Sequence, residues 1–385
     1  MSTHPAIRCL ALAAAALATV ACGGVAPAKP SRPAYVPTVG RLELVRLLRR
    51  RDFDALERRL GELQEAFERD VEREADMAVA VRAFRTADPA LEPILAAWLT
   101  ARPRSAFAHL GRAKYFARVG WERRGGRWAR DTSEQQFRAM AASHALAASE
   151  ARAALALEPR LLEAHEVLLE VANAEGATAR CGELTRDALR VAPASFRIRA
   201  AHAGCLLPRW GGSEAALREL AAGATPYLDA NPRLAALAGF VDWDRGTLAR
   251  SRKDYGEAVA HFDKALAAGE HWEFLEDRGW ARYRLEAYEP ALADFTRALE
   301  LVPQEPEVLV DRGWALVKLG RLDDAVADYR LALEVDPSES RLEGLRRRLV
   351  HDLVQAARAA WYSDRAGASA LLRQAREVDP SYSPR

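Results

Sequence analysis

The sequence has little lysine and lacks the common signatures of a catalytic or metal site. Lysine occurs at only five of 385 positions, and 56 basic side chains are nearly balanced by 54 acidic ones, for a formal net charge of +2. Since nucleic-acid-binding surfaces are usually strongly basic, this balance argues against a nucleic-acid partner. None of the eight histidines forms a His-x-x-x-His pair, and Gly-x-Ser-x-Gly, phosphate-loop and Cys-x-x-Cys patterns are missing too. The sequence therefore predicts no metal, no other cofactor and no enzymatic activity.

The N-terminus lacks an apolar run long enough to span a bilayer. Residues 10–20 form an apolar stretch of eleven, whereas a membrane-spanning helix needs about 20. Arg8 precedes this stretch, and short side chains lead into Cys22. The segment resembles a bacterial lipoprotein signal, which implies a signal peptide over residues 1–21 and a lipid on Cys22. The alternative is an ordinary cleaved signal peptide with an incidental cysteine.

A proline-rich stretch follows this signal. Residues 22–40 contain four of the 19 prolines, and such a composition cannot build a core, so it predicts a semi-rigid tether. The lipoprotein resemblance implies an exported protein held on a membrane by its acyl chains. Gly23, rather than aspartate, follows the cysteine. By the same resemblance this favours the outer membrane or its periplasmic face, if the cell is Gram-negative.

The strongest pattern in the chain is an internal repeat of 33 to 34 residues. The tripeptide Asp-Arg-Gly occurs at residues 244–246, 277–279 and 311–313. Alanines and aromatics recur at constant distances after each glycine: Ala258, Ala291, Ala325, Phe262, Phe295 and Tyr329. Small residues allow two helices to cross closely, and the aromatic side chain fills the space beside them. The spacing therefore predicts pairs of antiparallel helices.

This pattern resembles the tetratricopeptide repeat. The resemblance implies an all-α fold, a right-handed superhelical solenoid of antiparallel helix pairs. We expect three such repeats over residues 236–338 and a capping helix pair over residues 339–385, because terminal repeats are often atypical. Weaker echoes of the repeat, such as Pro159 and Pro193 at a spacing of 34 residues, extend into a helical domain over residues 41–235.

Two tryptophan motifs distinguish this middle domain. Gly-Trp-x-x-Arg-Gly begins at Gly120 and Pro-Arg-Trp-Gly-Gly-Ser begins at Pro208. Together they resemble an uncharacterised bacterial domain family that often accompanies tetratricopeptide repeats. Placed in loops, the motifs could form a second site that stacks on a planar or anionic ligand. Its candidate residues are Trp121, Arg124, Trp128, Arg209 and Trp210. The alternative is that both indoles only fill gaps between helix pairs.

The resemblance also implies a binding groove, because the first helices of tetratricopeptide repeats line a concave surface. The side chains at the groove positions include Trp243, Trp280, Tyr283, Arg284, Trp314 and Lys318. Tryptophan and arginine are the residue types that dominate binding hot spots. Trp280 and Trp314 replace the asparagine that the family's carboxylate clamp needs, so we expect a hydrophobic protein or peptide segment as the partner. Alternatively, these indoles pack against neighbouring helices.

Two structural pairings follow from the repeat positions and from cysteine. Arg278 and Arg312 stand where the repeat is normally apolar, and Asp294 and Asp328 stand in the facing helix. A charge so near the core needs a partner, so we predict the ion pairs Arg278–Asp294 and Arg312–Asp328. In an oxidising compartment Cys181 and Cys205 could form a disulfide, or they could be two buried thiols.

The sequence thus predicts a membrane-tethered scaffold that binds an envelope protein or peptide through its groove. Two alternatives stay open. The protein could be a structural subunit of a larger envelope assembly, for which apolar patches at the ends of the array would be evidence. It could also be an enzyme centred on Trp121 and Trp210, for which a pocket with convergent charges and shifted pKa values would be evidence. The oligomeric state and the partner's identity do not follow from the sequence.

Overall fold

The computed structural model describes residues 30, 32–126 and 131–382, and within these ranges the regular elements are all helical. The helical fold predicted from the repeats is therefore confirmed. The signal peptide, Cys22 and Trp128 lie outside the described residues. The α-helices are α1 (Leu42–Arg50), α2 (Phe53–Arg69), α3 (Glu74–Ala80), α4 (Leu91–Ala101), α5 (Ala106–Arg124), α6 (Glu134–Leu157), α7 (Leu162–Ala174), α8 (Thr178–Val191), α9 (Phe196–Leu206), α10 (Glu214–Ala224), α11 (Phe240–Ser251), α12 (Tyr255–Ala268), α13 (Trp272–Arg284), α14 (Tyr288–Leu301), α15 (Pro306–Lys318), α16 (Leu322–Val335), α17 (Leu342–Ala360) and α18 (Arg365–Val378).

From α5 onward the chain is a solenoid of helix pairs. Consecutive helices pack as α5–α6, α7–α8, α9–α10, α11–α12, α13–α14, α15–α16 and α17–α18. The first helix of a pair also contacts the first helix of the next, for example α7 with α9 and α15 with α17. The first helices therefore form one continuous inner layer. None of the described helices is long and apolar enough to cross a membrane.

Close helix crossings explain the repeated glycine. A Cβ atom added at Gly246 would lie 2.6 Å from the Phe262 ring, and one added at Gly279 would lie 2.8 Å from Phe295. No side chain fits at these contacts without displacing the aromatic ring of the second helix. The third repeat differs, because Gly313 faces the Leu345 side chain of α17 instead of its own aromatic. In two repeats the glycine therefore leaves room for an aromatic ring of its own helix pair, and in the third it leaves room for a leucine of the next pair.

Both ion pairs expected within the repeats are present. Arg278 donates to both oxygens of Asp294 at 3.1 and 2.6 Å, and Arg312 does the same to Asp328 at 2.8 and 2.6 Å. The two-pronged guanidinium matches a carboxylate well, and both aspartates are buried. In the first repeat Arg245 has no aspartate opposite and pairs with Glu214 of α10.

A disulfide joins the two cysteines of the middle domain. Cys181 of α8 and Cys205 of α9 are bonded, with their Cα atoms 6.6 Å apart. Of the two alternatives for these cysteines, the structure contains the bridge. It ties the second helix of one pair to the first helix of the next.

The first four helices do not continue the stack. Residues 41–86, here called the edge layer, lie along the edge of the solenoid where the first helices begin. Glu74 accepts hydrogen bonds there from the Ser195 hydroxyl at 2.5 Å and the Phe196 backbone N–H at 2.8 Å. Farther along, Arg82 pairs with Glu305, which precedes α15. The degenerate repeats expected over residues 41–235 therefore begin only at α5.

Candidate functional site: two cavities on the inner layer

A central cavity of about 310 Å³ lies between the inner layer and the edge layer. Five first helices contribute to its walls: α5, α7, α9, α11 and α13. The edge layer contributes Ala78, Arg82 and Arg85. Because the edge layer lies across the helix starts, it closes one side of a space that the solenoid alone would leave open. This cavity is therefore shared by both parts of the chain.

The two tryptophan motifs meet beside this cavity. Trp121 and Trp210 contact each other edge to face, with ring centres 6.4 Å apart. The Trp121 indole N–H donates to Glu170 at 2.7 Å, which fixes the ring against α7. Trp121 itself lies in the last turns of α5 and is half-buried, so its expected position in an exposed loop was wrong. Trp210 ends a short 3-10 helix, Pro208–Trp210, as a turn before the N-cap Ser213.

The two arginines expected in the second site, Arg124 and Arg209, lie in different places. The Arg209 guanidinium lies 5.1 Å from the Trp243 ring centre and 3.3 Å from Asp244. Arg124 instead lies over the Phe137 ring, at 5.8 Å, and does not line the cavity. Trp121, Arg209 and Trp210 of the second site are thus joined to Trp243 of the expected groove. The second motif directly follows α9, so the packing of α9 brings Arg209 to Trp243. The positions of the two residues along the sequence did not indicate this contact.

Acidic and basic side chains, several of them in ion pairs, form one wall of the central cavity. Glu166 accepts from Lys114 at 3.1 Å and from Arg197. Burial alone would raise the pKa of the Glu166 carboxyl, but Arg197 and Lys114 outweigh burial and hold the pKa at about 2. Arg85 lies 4.0 Å from Glu170 and hydrogen-bonds to no side chain among the described residues. Together with Arg82 of the edge layer, the wall carries four cations close together, and Arg85 has spare donors.

Three buried nitrogens of this wall lack a hydrogen-bond partner among the described residues. They are Arg82 Nη2, Arg197 Nε and His271 Nδ1, and Arg82 and His271 are only 8% and 5% exposed. Burial, together with the charges of nearby arginines, lowers the pKa of His271 well below its usual range. The imidazole is therefore neutral at pH 7. Burial and the charge of Asp277 raise the pKa of Glu273 on the same wall.

A second cavity of about 340 Å³, the distal cavity, lies farther along the inner layer. Six residues line it: Trp280, Tyr283, Arg284, Phe295, Asp311 and Trp314. Four of these are groove residues expected from the repeat positions. Arg284 is exposed, and its guanidinium lies 5.0 Å from the centre of the Trp280 ring. Trp280 and Trp314 are half-buried, so part of each indole faces the cavity.

Two expected groove residues lie elsewhere. Trp243 lines the central cavity, where its indole N–H donates to Asp277 at 2.7 Å. Lys318 is exposed, and its ammonium lies 5.8 Å from the Tyr288 ring centre, outside the distal cavity. Trp243 therefore does not share a cavity with Trp280 and Trp314, and its ring packs against Phe240 and Phe274 instead.

The aspartate of Asp-Arg-Gly is a functional position that sequence reasoning missed. Asp277 accepts from Arg250 at 2.5 Å, and Asp311 accepts from Arg341 at 2.8 Å. Each bond connects neighbouring helix pairs along the inner layer. In the tripeptide, the arginine contacts the second helix of its own pair, whereas the aspartate contacts a neighbouring pair. The aspartate recurs at the same position of each repeat, and this recurrence was the sequence feature that could have indicated its role. Within the described residues, no cluster of three or more metal-ligating side chains occurs.

Comparisons with known proteins match two separate parts of the chain to family models. Residues 41–184 match the family model described as "Domain of unknown function (DUF4034)", and residues 306–339 match the model of the tetratricopeptide repeat. The first match includes the edge layer, α4 to α7 and the first half of α8, and the second includes α15 and α16. The chain matches none of the curated proteins.

Several solved structures are similar to parts of the chain. The Arabidopsis OM64 TPR domain is 25% identical, with 30% of this chain and 96% of that one covered and a TM-score of 0.29. YrrB, described as a TPR protein with an unusual peptide-binding site, is 22% identical over 51% of this chain and 93% of its own, with a TM-score of 0.30. Pseudomonas aeruginosa pilF is 20% identical over 61% and 95%, with a TM-score of 0.29. At such scores, the fold rests on the chain's own helix pairs.

Proposed function

We propose that this protein is a membrane-tethered scaffold that binds a hydrophobic segment of an envelope protein in the distal cavity. The supporting observation is that Trp280, Tyr283 and Trp314 line one open cavity with an exposed arginine at its side. Aromatic side chains supply large contact areas at low entropic cost, and arginine adds polar contacts at the rim. Tetratricopeptide repeats are commonly protein-binding modules, and one such repeat begins at Pro306.

The test compares partner recovery from cells by chemical crosslinking to the full-length chain. The double substitution Trp280→Ala and Trp314→Ala should abolish recovery of the partner that the unchanged protein captures. Tyr362→Ala is the matched control, because this aromatic residue is 99% exposed and lies after α17, away from both cavities. Circular dichroism and thermal unfolding must show that the double variant is folded. Unchanged recovery by a folded double variant would contradict the assignment of the distal cavity.

The tether is a second part of the proposal. A lipid on Cys22 would place the solenoid beside the membrane at the end of a proline-rich segment. Metabolic labelling with a fatty-acid analogue and mass spectrometry of the mature N-terminus should find the acylated cysteine. Cys22→Ala should move the protein from the membrane fraction to the soluble fraction. An unmodified N-terminus with normal export would leave only the ordinary signal-peptide alternative.

Binding explains the central cavity better than catalysis does. Convergent charges and shifted pKa values do occur beside Trp121, as the enzyme alternative requires. However, Glu166 is ionised and occupied by two cations, and the cavity lining contains no serine, threonine or cysteine. A carboxylate with a pKa of about 2 is a poor proton acceptor at neutral pH. We therefore treat the central cavity as a place for a ligand.

The alternative of a structural subunit finds less support. It calls for apolar patches at the ends of the array. The large exposed apolar side chains among the described residues are Val36, Leu146, Leu157, Leu285, Leu333 and Tyr362, and of these only Leu146 and Leu157 share a helix, α6. Single exposed apolar residues are normal on protein surfaces and indicate no interface.

A further inference from the structure

Two arginine donors beside the central cavity are buried without a hydrogen-bond partner among the described residues. They are Arg82 Nη2 and Arg197 Nε; His271 Nδ1 is unpartnered as well, and in a neutral imidazole this nitrogen is either a donor or an acceptor. Leaving a buried donor unpaired costs about 1–3 kcal/mol, so native structures usually satisfy such groups. Two such donors beside one space favour an occupant with acceptor atoms.

The charges in this wall favour an anion. The Arg85 side chain is 40% exposed, and its nearest carboxylate oxygen, on Glu170, is 4.0 Å away, beyond hydrogen-bond distance. Arg82 shares its one carboxylate partner, Glu305, with Arg41. These two arginines of the edge layer can therefore accept another negative charge. An arginine fork is well shaped for the two oxygens of a carboxylate.

The rest of the cavity restricts which anion fits. Glu170 and Glu273 face the same space, and they would repel a doubly charged group such as phosphate more strongly than a single carboxylate. The indoles of Trp121, Trp243 and Trp272 supply flat apolar surface. A ligand with one carboxylate and an apolar or aromatic body matches both features.

We propose that the central cavity binds a carboxylate with an apolar or aromatic body, with the carboxylate held by Arg82 and Arg85. This site is separate from the distal cavity, and its two arginines come from the edge layer instead of the repeats. Two sources share this chemistry: the C-terminal residue of a peptide and a free organic acid. In both, the aromatic or apolar part would lie against the tryptophans.

The experiment titrates the full-length protein with matched acid and amide probes, using isothermal calorimetry. The probes are 3-phenylpropionate and its amide, and acetyl-Ala-Phe with a free or amidated C-terminus; inorganic phosphate is the third arm. We expect at least one acid to bind roughly tenfold more tightly than its amide, the ratio that corresponds to one charged hydrogen bond of about 1.4 kcal/mol. Binding by the peptide acid alone assigns the site to a peptide end, and binding by phenylpropionate assigns it to free acids as well.

Variants of Arg85 test whether the edge-layer arginines hold the carboxylate. Arg85→Met should reduce acid affinity by about the same factor as amidation, and Arg85→Lys should restore part of it. The control Arg190→Met changes an exposed arginine of α8 and should have no effect. The proposal is overturned if neither acid binds, if acid and amide bind equally, or if phosphate binds as well as the acids. The variant that lacks Trp280 and Trp314 should keep acid binding, so failure of one site is distinguishable from failure of the other.

Discussion

Replacing the buried Glu163 with glutamine should stabilise the protein at neutral and higher pH. Glu163 lies in the first turn of α7 and is only 3% exposed. Burial raises the pKa of its carboxyl from the ordinary 4.5 to about 7, and the attraction of Lys114 offsets burial only in part. The ionised carboxylate is therefore less favourable in the folded chain than in the unfolded chain.

The sign and size of the effect follow from this difference. Between pH 4.5 and about 7 the folded chain keeps a proton that the unfolded chain has released, so stability falls as pH rises. Below this window the carboxyl costs nothing, and above it the loss is complete. At about 1.4 kcal/mol for each pH unit, the loss is on the order of 3 kcal/mol. Glutamine stays neutral throughout, so the advantage of Glu163→Gln should grow by this amount across the window.

Urea unfolding at a series of pH values, followed by circular dichroism, measures the difference directly. The control Glu183→Gln removes an exposed carboxylate from α8, and its effect on the free energy of unfolding should be small at every pH. A constant difference between Glu163→Gln and the unchanged protein across the window would refute the reasoning. It would mean that the Glu163 carboxyl reaches water or finds a cation in the folded chain.

Three further predictions concern packing and cross-links. Glu74→Ala should reduce the free energy of unfolding by about 3 kcal/mol, because several buried donors lose their acceptor. The control Glu65→Ala changes an exposed residue and should alter the free energy of unfolding by less than about 0.5 kcal/mol. Equal effects of the two variants in urea unfolding would contradict the role of the edge layer. Gly279→Ala should cost about 1–3 kcal/mol because its Cβ meets an aromatic ring at 2.8 Å, while Gly223→Ala, with open space around it, should not destabilise the protein. Cys181→Ser should lower stability by about 2–4 kcal/mol under oxidising conditions and much less under reduction, as thermal unfolding would measure; an equal loss in both conditions would show that packing, and not the bridge, matters.

The sequence predicted those parts of the fold that depend on short separations along the chain. The repeated Asp-Arg-Gly placed two of its three arginines opposite an aspartate sixteen residues later, as in Arg312 and Asp328. Such contacts lie within one helix hairpin, so the helical period alone determines which side chains face each other. Four of the six groove residues that the repeat resemblance implied line the distal cavity.

The central cavity could not be predicted in this way. Its walls combine Arg82 with Trp272 and Lys114 with Glu166, and the members of these pairs are far apart in the sequence. Periodicity specifies which face of a helix is apolar, but not which distant helix covers it. The same limit explains why the repeat positions did not separate Trp243, in the central cavity, from Trp280 and Trp314, in the distal cavity.

By itself, then, the sequence determined the helix pairs, their glycine and alanine crossings and the ion pairs inside them, because each follows from local spacing. Only the tertiary structure decided where the first helices lie. The hydrogen bond from Thr86 to Asp336, at 2.6 Å, spans 250 residues and places the edge layer along the starts of the inner helices. A solenoid leaves this edge exposed, with backbone N–H groups at each helix start that need acceptors. At α9 the Glu74 carboxylate accepts from one such group, the Phe196 N–H, whereas Arg82 and Thr86 donate to the side chains of Glu305 and Asp336, which precede α15 and α17. Through these contacts residues 41–86 close the cavity that the repeats alone would leave open.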